Sequence, residues 1–386
     1  MHHRCRRCVI SAMLRLRVDE LGQTLQTPAP RRTGRSCIGC TDVEIPSPAT
    51  PHVLHARLFF PVQHEGDEAG RSPCQSGRTA SWVPGGLMRT CSAASFSIAG
   101  KLIAWMALLT TTNFAWFEDM RAERKHVLPD QVQQQVRQPS RLKFAVFSHG
   151  RGAAGFAYSA ICAEIAACGY LVCAITAHFD GTALLLPQKN RHEIGEAQCA
   201  LRVLEVRAAF DYILQDACWG TRLDVSESGD ALVVGHSLGG DTALEAAVQD
   251  KRFSTVILLD APLRICSADV YRKHKLDAVH NFMCIQGANS LGRVLACVAS
   301  LRQNESRVHV LQNTAGLSHH QFSELFYILP SWLRALVEKI LDFNVPSRDA
   351  LEGILRVLRA FLLNDGHGVS GLDLNSIGYR DALGNR

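Results

Sequence analysis

Short apolar runs of strand length alternate with longer segments of helical spacing from residue 142 to residue 363. Nearly continuous apolar runs bounded by turn residues are typical of strands that are buried on both faces. Strands that alternate with helices predict an α/β fold, with a mostly parallel central sheet covered by helices on both faces. The predicted strands are 142–147, 170–176, 231–234, 255–259, 282–286 and 307–311.

Apolar residues at helical spacing predict helices at 158–168, 193–214, 241–249, 330–343 and 350–363. In the second of these, Leu201, Leu204, Ala208 and Tyr212 form one apolar stripe. In the fourth, apolar positions of 332–343 line one side, which is interpreted either as packing on the sheet or as contact with a lipid surface.

Two segments before residue 142 have apolar patterns of their own. Residues 53–61 alternate as a strand does. Residues 98–109 are almost uncharged but fall short of the roughly 20 apolar residues that a membrane-spanning helix needs. We interpret 98–109 as a buried helix or as a second segment that touches a membrane surface.

Length and composition indicate one large globular domain. The chain has 386 residues, of which 47% are hydrophobic and 20% charged, and its net charge is +5. We place the catalytic domain at 37–365, after a flexible basic tail at 1–36 and before a C-terminal tail at 366–386. The modest charge gives no nucleic-acid footprint, so we expect no nucleic-acid partner.

The fourteen cysteines are scattered through predicted core segments and form no regular disulfide framework. Two Cys-x-x-Cys pairs, Cys5/Cys8 and Cys37/Cys40, have the spacing of zinc ligands, but no compact module separates them. The apolar stretch near the N-terminus is short and interrupted, unlike the core of a signal peptide. We expect plain thiols, no metal or other cofactor, and a cytoplasmic location.

The motif Gly235-His236-Ser237-Leu238-Gly239 follows a predicted strand directly and precedes a predicted helix. This strand–turn–helix setting is that of the nucleophile elbow of α/β-hydrolases, which holds a serine exposed on a tight turn. The two glycines are required because the strand and the helix turn back on each other there. Ser237 is therefore the candidate nucleophile of a serine esterase.

A nucleophilic serine needs a histidine base and a carboxylate that orients it. After Ser237, the first strand ends in Asp260, whereas the next strand ends without a carboxylate. Asp260 is thus the predicted acid. Asp269 and Asp241 compete, although Asp241 lies on the elbow helix, where a capping role is the simpler interpretation.

The base is predicted in the loop after the last strand, where two histidines are adjacent. His319 and His320 both remain candidates, and His309, inside the strand, is interpreted as packed or paired. The fold predicts two backbone N–H donors that stabilise an oxyanion. These are the N–H of Leu238, next to the nucleophile, and that of Arg151, in the loop after strand 142–147.

Ordered matches across 38–365 resemble the monomeric platelet-activating factor acetylhydrolases of the plasma and intracellular type, which are calcium-independent group VII phospholipases A2. The matching segments are 38–42, 56–61, 82–84, 147–150, 158–161, 169–172, 178–180, 235–240, 252–253, 259–261 and 318–322.

This resemblance implies Ser237, Asp260 and His319 as the triad, with Leu238 and Arg151 as oxyanion donors. It implies a monomer that hydrolyses a short or oxidised sn-2 acyl chain of a phospholipid substrate at or near a lipid surface, without a metal. The alternatives are a general carboxylesterase or thioesterase on the same fold, and a catalytically silent lipid-binding relative.

Overall fold

A computed structural model describes residues 37–47, 53–62, 80–81, 113–114, 117–119, 141–176, 178, 196–225, 230–264, 276, 278–287, 291–302, 307–327, 331–363 and 367–383. The flexible tail predicted at 1–36, residues 98–109 and Asp269 lie outside these ranges. The described residues contain a ten-stranded sheet and a separate two-stranded one.

The apolar runs of the sequence form the centre of the large sheet. Its strands are β1 Cys37–Pro46, β2 Val53–Val62, β5 Phe117–Asp119, β6 Lys143–Ser148, β7 Tyr170–Ile175, β8 Ala231–His236, β9 Phe253–Leu259, β10 Asn281–Gln286, β11 Arg307–Asn313 and β12 Tyr379–Asp381. They lie in the order β12-β11-β10-β9-β8-β6-β7-β2-β1-β5. The two short strands β3 Ala80–Ser81 and β4 Asn113–Phe114 pair with each other.

Most neighbouring strands of this sheet are parallel, as predicted. Six central strands pair in parallel, in the order β7, β6, β8, β9, β10 and β11. Strand β2 pairs antiparallel with both β1 and β7. The central strands are continuous apolar runs because both of their faces are covered. In parallel strands the carboxyl ends meet at one edge, and this edge carries the candidate site.

Helices cover the two faces of the sheet. They are α1 Ser159–Ala167, α2 Glu196–Gln215, α3 Leu238–Gln249, α4 Leu291–Arg302, α5 Ser331–Ile340 and α6 Ser347–Leu363. Buried residues of α1 and α6 pack on one face with Ala145 and Phe147. Those of α2, α3 and α4 pack on the other face with Phe144 and Val146. Because successive side chains of β6 point to opposite faces, this strand contributes residues to the hydrophobic core on each face of the sheet.

Helix α2 turns a different side to the core from the predicted apolar stripe. Leu204 of that stripe is 44% exposed, whereas Arg202 and Glu205 are fully buried beside Val203 and Val206. The buried side of α2 carries both apolar residues and these two charged ones. Arg202 and Glu205 have buried hydrogen-bond partners, the backbone carbonyl of His149 and the ring of His178. The buried side of this helix thus combines an apolar stripe, formed by Cys199, Val203, Val206, Ala209, Phe210 and Ile213, with two charged residues whose partners are also buried.

The C-terminal boundary predicted at 365 is corrected by the structure. β12 pairs antiparallel with β11, and Tyr379 is buried against α6 beside Gly353. Tyr379–Asp381 therefore extends the sheet, although 366–386 was predicted to be a C-terminal tail. A three-residue strand in a polar, Gly-rich context has too few apolar positions to be recognised by periodicity.

Helix α5 is shorter than predicted, because the chain leaves the helix at Ile340 and Asp342 takes a positive φ of 54°. Helix α6 then begins at Ser347, earlier than predicted. Within the described ranges, the helices are all too short or too polar to cross a bilayer.

Candidate active site

Ser237 occupies the turn between β8 and α3 with an unusual backbone. Its φ is 54° and its ψ is −123°, a left-handed conformation that a non-glycine residue adopts only when its surroundings enforce it. A Cβ placed on Gly235 would lie 1.9 Å from the carbonyl oxygen of Gly239, and one on Gly239 would lie 2.1 Å from that of Ser148. Glycine is therefore required at both positions for this tight turn.

Three predicted side chains meet at the carboxyl edge of the sheet. The Nε2 atom of His319 lies 2.9 Å from Oγ of Ser237, and its Nδ1 atom lies 2.5 Å from Oδ2 of Asp260. Asp260 follows β9 directly, with a φ of 44°, and its Oδ1 accepts the backbone N–H of Gly287 at 2.8 Å. The carboxylate accepts Nδ1–H, so Nε2 is left to accept the serine proton.

The electrostatic surroundings keep the Asp260 carboxyl ionised. Burial by itself raises its pKa, but the hydrogen bonds from His319 and from the Gly287 N–H outweigh burial, so the pKa lies below its usual value. A carboxylate held ionised beside the imidazole fixes its tautomer and orientation.

His319 begins a short 3-10 helix, His319–Phe322, which follows β11 and a turn. The Gln321 side chain accepts the backbone N–H of Ser318 and donates to the carbonyl of Val345, so it caps the start of the helix and joins the helix to the segment before α6. His320 contacts Phe326 edge-on, and burial lowers its pKa. Of the two adjacent histidines, His319 is therefore the one whose ring bridges Ser237 and Asp260.

The loop that contains Arg151 lies against the elbow. A Cβ on Gly150 would be 3.3 Å from the Cβ of Ser237. The carbonyl of Gly150 accepts Nδ1–H of the buried His149 at 2.8 Å. Since the C=O and N–H of one trans peptide point in opposite directions, the N–H of Arg151 is directed away from the His149 ring. Leu238 begins α3, where first-turn N–H groups have no partner within the helix.

A buried polar network that the sequence did not predict lies under this loop. The Arg202 guanidinium donates to the carbonyl of His149 at 2.6 Å. The ring of His178 bridges Ser148 and Glu205, at 2.9 and 2.6 Å. All five groups are fully buried, so they support the loop and do not face a cleft. Arg202 and Glu205 lie three positions apart beside the apolar residues Val203 and Val206, and this spacing is the sequence signal that could have found them.

Asp241, the described alternative to Asp260 as the acid of the triad, has a different role. Asp241 is buried, but it does not cap α3, because its oxygens accept the backbone N–H groups of Leu263 and Arg264, at 2.7 and 3.3 Å. It thereby fixes the loop that follows Asp260. His309 packs edge-on against Phe361, in agreement with the predicted packing role.

The two Cys-x-x-Cys pairs, which were expected to be plain thiols, are only partly covered by the structure. Cys5 and Cys8 lie outside the described residues, and Cys40 is a buried cysteine on β1. Among the described residues, the His, Cys, Asp and Glu side chains form no group of three or more that could hold a metal ion.

A sequence profile for the family described as platelet-activating factor acetylhydrolase, isoform II, matches residues 21–218 and 221–370. The platelet-activating factor acetylhydrolase of Canis lupus familiaris is 27% identical over 278 residues, which cover 61% of this chain and 55% of that protein. The protein of the same name from Cavia porcellus is 25% identical over 285 residues, covering 64% and 58%. The chain thus spans little more than half the length of these relatives.

Among solved structures, a ferulic acid esterase from Streptomyces cinnamoneus superposes with a TM-score of 0.55 at 17% identity, over 88% of this chain and 92% of that one. At this identity the likeness concerns the fold. It agrees with the α/β-hydrolase fold that the elbow and the sheet predicted.

Proposed function

The chain belongs to the platelet-activating factor acetylhydrolase isoform II family, and from this premise we propose that it is a serine esterase acting on phospholipids. Its proposed reaction is hydrolysis of a short or oxidised sn-2 acyl group, with release of a lysophospholipid. The observation that carries this proposal is the hydrogen-bonded row from Ser237 through His319 to Asp260.

The geometry supports a two-stage acyl transfer. In the first stage, Nε2 of His319 takes the proton of Ser237 while Oγ forms a bond to the ester carbonyl carbon. The negative charge on the former carbonyl oxygen is stabilised by the N–H groups of Leu238 and Arg151. His319 then gives its proton to the leaving lysophospholipid oxygen as the ester bond breaks.

In the second stage, water takes the place of the lysophospholipid. His319 removes a proton from this water, which attacks the acyl group on Ser237, and the carboxylic acid leaves as Oγ regains its proton. Asp260 stays ionised throughout and stabilises the imidazolium that forms twice in the cycle. Each of these steps uses groups of the chain itself, so we propose a calcium-independent reaction.

The test is turnover of glycerophosphocholines with sn-2 chains of increasing length, with and without EDTA. We expect cleavage of the acetyl and other short chains, poor cleavage of long chains, and no effect of EDTA. Ser237→Ala should abolish turnover, with unchanged circular dichroism. Hydrolysis of p-nitrophenyl acetate without action on any of these phospholipids would indicate a general esterase instead, and turnover by Ser237→Ala would contradict the mechanism.

We further propose that helix α5 contacts the lipid surface. Leu336, Ile340 and Leu341 are 46%, 70% and 45% exposed, an apolar patch at the end of one amphipathic helix. The chain that follows this patch leads towards the site, because Phe343 packs edge-on against Phe326, which in turn contacts His320. The side chain of Trp332 and the segment 98–109 lie outside the described residues, so the proposal rests on this patch alone.

The variant Leu336→Asp/Ile340→Asp tests this surface through sedimentation with phosphatidylcholine vesicles. Loss of vesicle binding is expected, with hydrolysis of soluble p-nitrophenyl acetate unchanged. A matched pair of aspartates at Leu204 and Leu214, exposed on α2, should bind vesicles like the wild type. Equal binding by all three proteins would exclude α5 as the contact. The cytoplasmic location and the monomeric state stay predictions.

A further inference from the structure

Two buried side chains connect the loop of Gly150 and Arg151, which follows β6 and is called the oxyanion loop below, to the candidate base. The backbone N–H of Gly150 donates to the hydroxyl of Tyr158 at 3.3 Å. That hydroxyl lies 2.7 Å from Nδ1 of His236, and Nε2 of His236 lies 3.1 Å from the backbone carbonyl of His319. We refer to these three hydrogen bonds as the relay. Tyr158 and His236 are only 2% and 5% exposed.

The direction of each hydrogen bond in the relay is determined by its two ends. A carbonyl oxygen can only accept, so Nε2 of His236 carries a proton that it donates to His319. Burial, reinforced by the nearby His319, lowers the pKa of His236 to about 3, so its ring is neutral and Nδ1 accepts. The Tyr158 hydroxyl therefore donates to Nδ1 and accepts from Gly150.

The relay links two groups that must be placed against the same substrate carbonyl. At one end, Gly150 precedes Arg151, whose N–H is a proposed oxyanion donor. At the other end, the carbonyl of His319 belongs to the residue whose ring faces Ser237. In between, the His236 ring lies 4.7 Å from that of His319 and stacks on Phe322 at 5.6 Å.

A second contact fixes the same two segments to each other. The buried carboxylate of Glu324 accepts the backbone N–H groups of Ser159 and Ala160, at 3.1 and 2.8 Å, where α1 begins. Helix α1 follows Tyr158 directly, and Glu324 lies close to His319 in the chain. The segments at the two ends of the relay are therefore also joined through the start of α1 and Glu324.

We propose that Tyr158 and His236 are positioning residues that hold the oxyanion loop and the base in one fixed arrangement. Neither side chain touches the reacting atoms in the proposed mechanism, and both act through Gly150 and His319. The proposal rests on the proposed serine esterase function for its kinetic consequences, but not for the hydrogen bonds themselves.

The kinetic test compares Tyr158→Phe, His236→Phe and the double variant on p-nitrophenyl acetate. We expect each single change to lower kcat by roughly 10-fold to 100-fold with KM within twofold, because a small displacement of either group harms the transition state more than binding. The affinity for a phenylboronic acid, which mimics the tetrahedral state, should fall in parallel. The double variant should lose no more than the larger single loss, since both changes break one relay.

Two further variants separate positioning from general stability. His236→Gln keeps a side-chain N–H that can donate to His319, and we expect it to retain more activity than His236→Phe. Tyr170→Phe changes a buried tyrosine at the opposite end of the sheet and should behave as wild type. A Tyr158→Phe enzyme with kcat within twofold of wild type, or multiplicative losses in the double variant, would overturn the proposal.

A measurement without turnover tests the relay by itself. In protein labelled with ¹⁵N-histidine, the resonances of His236, assigned with His236→Gln, should show a neutral ring protonated at Nε2 from pH 5 to pH 8. A ring protonated at Nδ1, or charged at pH 5, would overturn the relay. If the wild type cleaves no ester but this tautomer is found, the proposed function fails and the relay stands.

Discussion

At the scale of residues, two adjacent histidines in the loop after β11 have different surroundings. The ring of His319 is hydrogen-bonded on both nitrogens, to Ser237 and Asp260, whereas that of His320 packs edge-on against Phe326. The order of elements along the chain predicts that the base lies in this loop, and both histidines fit that prediction. Only the direction in which a 3-10 turn presents each side chain separates them, and this direction depends on contacts distant in sequence, such as that of Gln321 with Val345.

Single alanine substitutions of these histidines should therefore have unequal effects. His319→Ala is expected to lower kcat by about 10⁴-fold, because the base is lost. His320→Ala should lower it by less than about tenfold, because only packing beside the site changes. Steady-state kinetics on p-nitrophenyl acetate would measure both, and a larger loss for His320→Ala would contradict this assignment.

At the scale of elements, the elbow depends on how closely α3 approaches the ends of β6 and β8. The motif predicted Ser237, its strand and its helix, because the close approach is encoded in adjacent residues. Asp260 was also predictable, since it ends the strand that follows. The network of His149, His178, Arg202 and Glu205 was not predicted, because its two histidines lie in loops far from α2 in sequence and because charged residues of a helix usually face solvent.

Gly239→Ala should disrupt the elbow, because its Cβ would lie 2.1 Å from the Ser148 carbonyl oxygen, an atom of the backbone that cannot move independently. We expect loss of esterase activity and a free energy of unfolding that is lower by more than about 2 kcal/mol. Gly292→Ala is the matched control, since nothing lies within 4 Å of its Cβ on α4. It should be neutral or stabilising by up to about 1 kcal/mol, as measured by urea unfolding. Equal destabilisation by both would contradict this interpretation of the elbow.

At the scale of the whole molecule, a parallel sheet brings the ends of β6, β8, β9 and β11 to one edge. The loops that follow these strands carry Gly150, Ser237, Asp260 and His319, which are far apart in sequence. The periodicity of apolar runs predicted this arrangement well, because each central strand is buried on both faces. It failed at the C-terminal strand β12, which is too short to show a period, and for the buried side of α2, where the charged residues Arg202 and Glu205 interrupt the apolar stripe.

The buried His236 should make the stability of the whole protein depend on pH. Its pKa is about 3 in the folded protein and near 6.5 when unfolded, so below about pH 6.5 the unfolded chain binds the extra proton. Stability therefore falls as the pH is lowered from 6.5 towards 3. Between pH 7 and pH 5 the wild type should lose about 2 kcal/mol more than His236→Gln in urea unfolding. Equal losses of unfolding free energy in the wild type and in His236→Gln would show that folding does not lower the pKa of His236.

Whether Ser237 is the nucleophile can be measured directly by reaction with a fluorophosphonate. The modified residue is then identified by peptide mass spectrometry. Such a reagent forms a stable phosphonyl bond with an activated serine hydroxyl. We predict a single adduct on Ser237 in the folded protein, lost in His319→Ala and retained in His320→Ala. An unlabelled Ser237, or an adduct confined to another serine, would contradict the account.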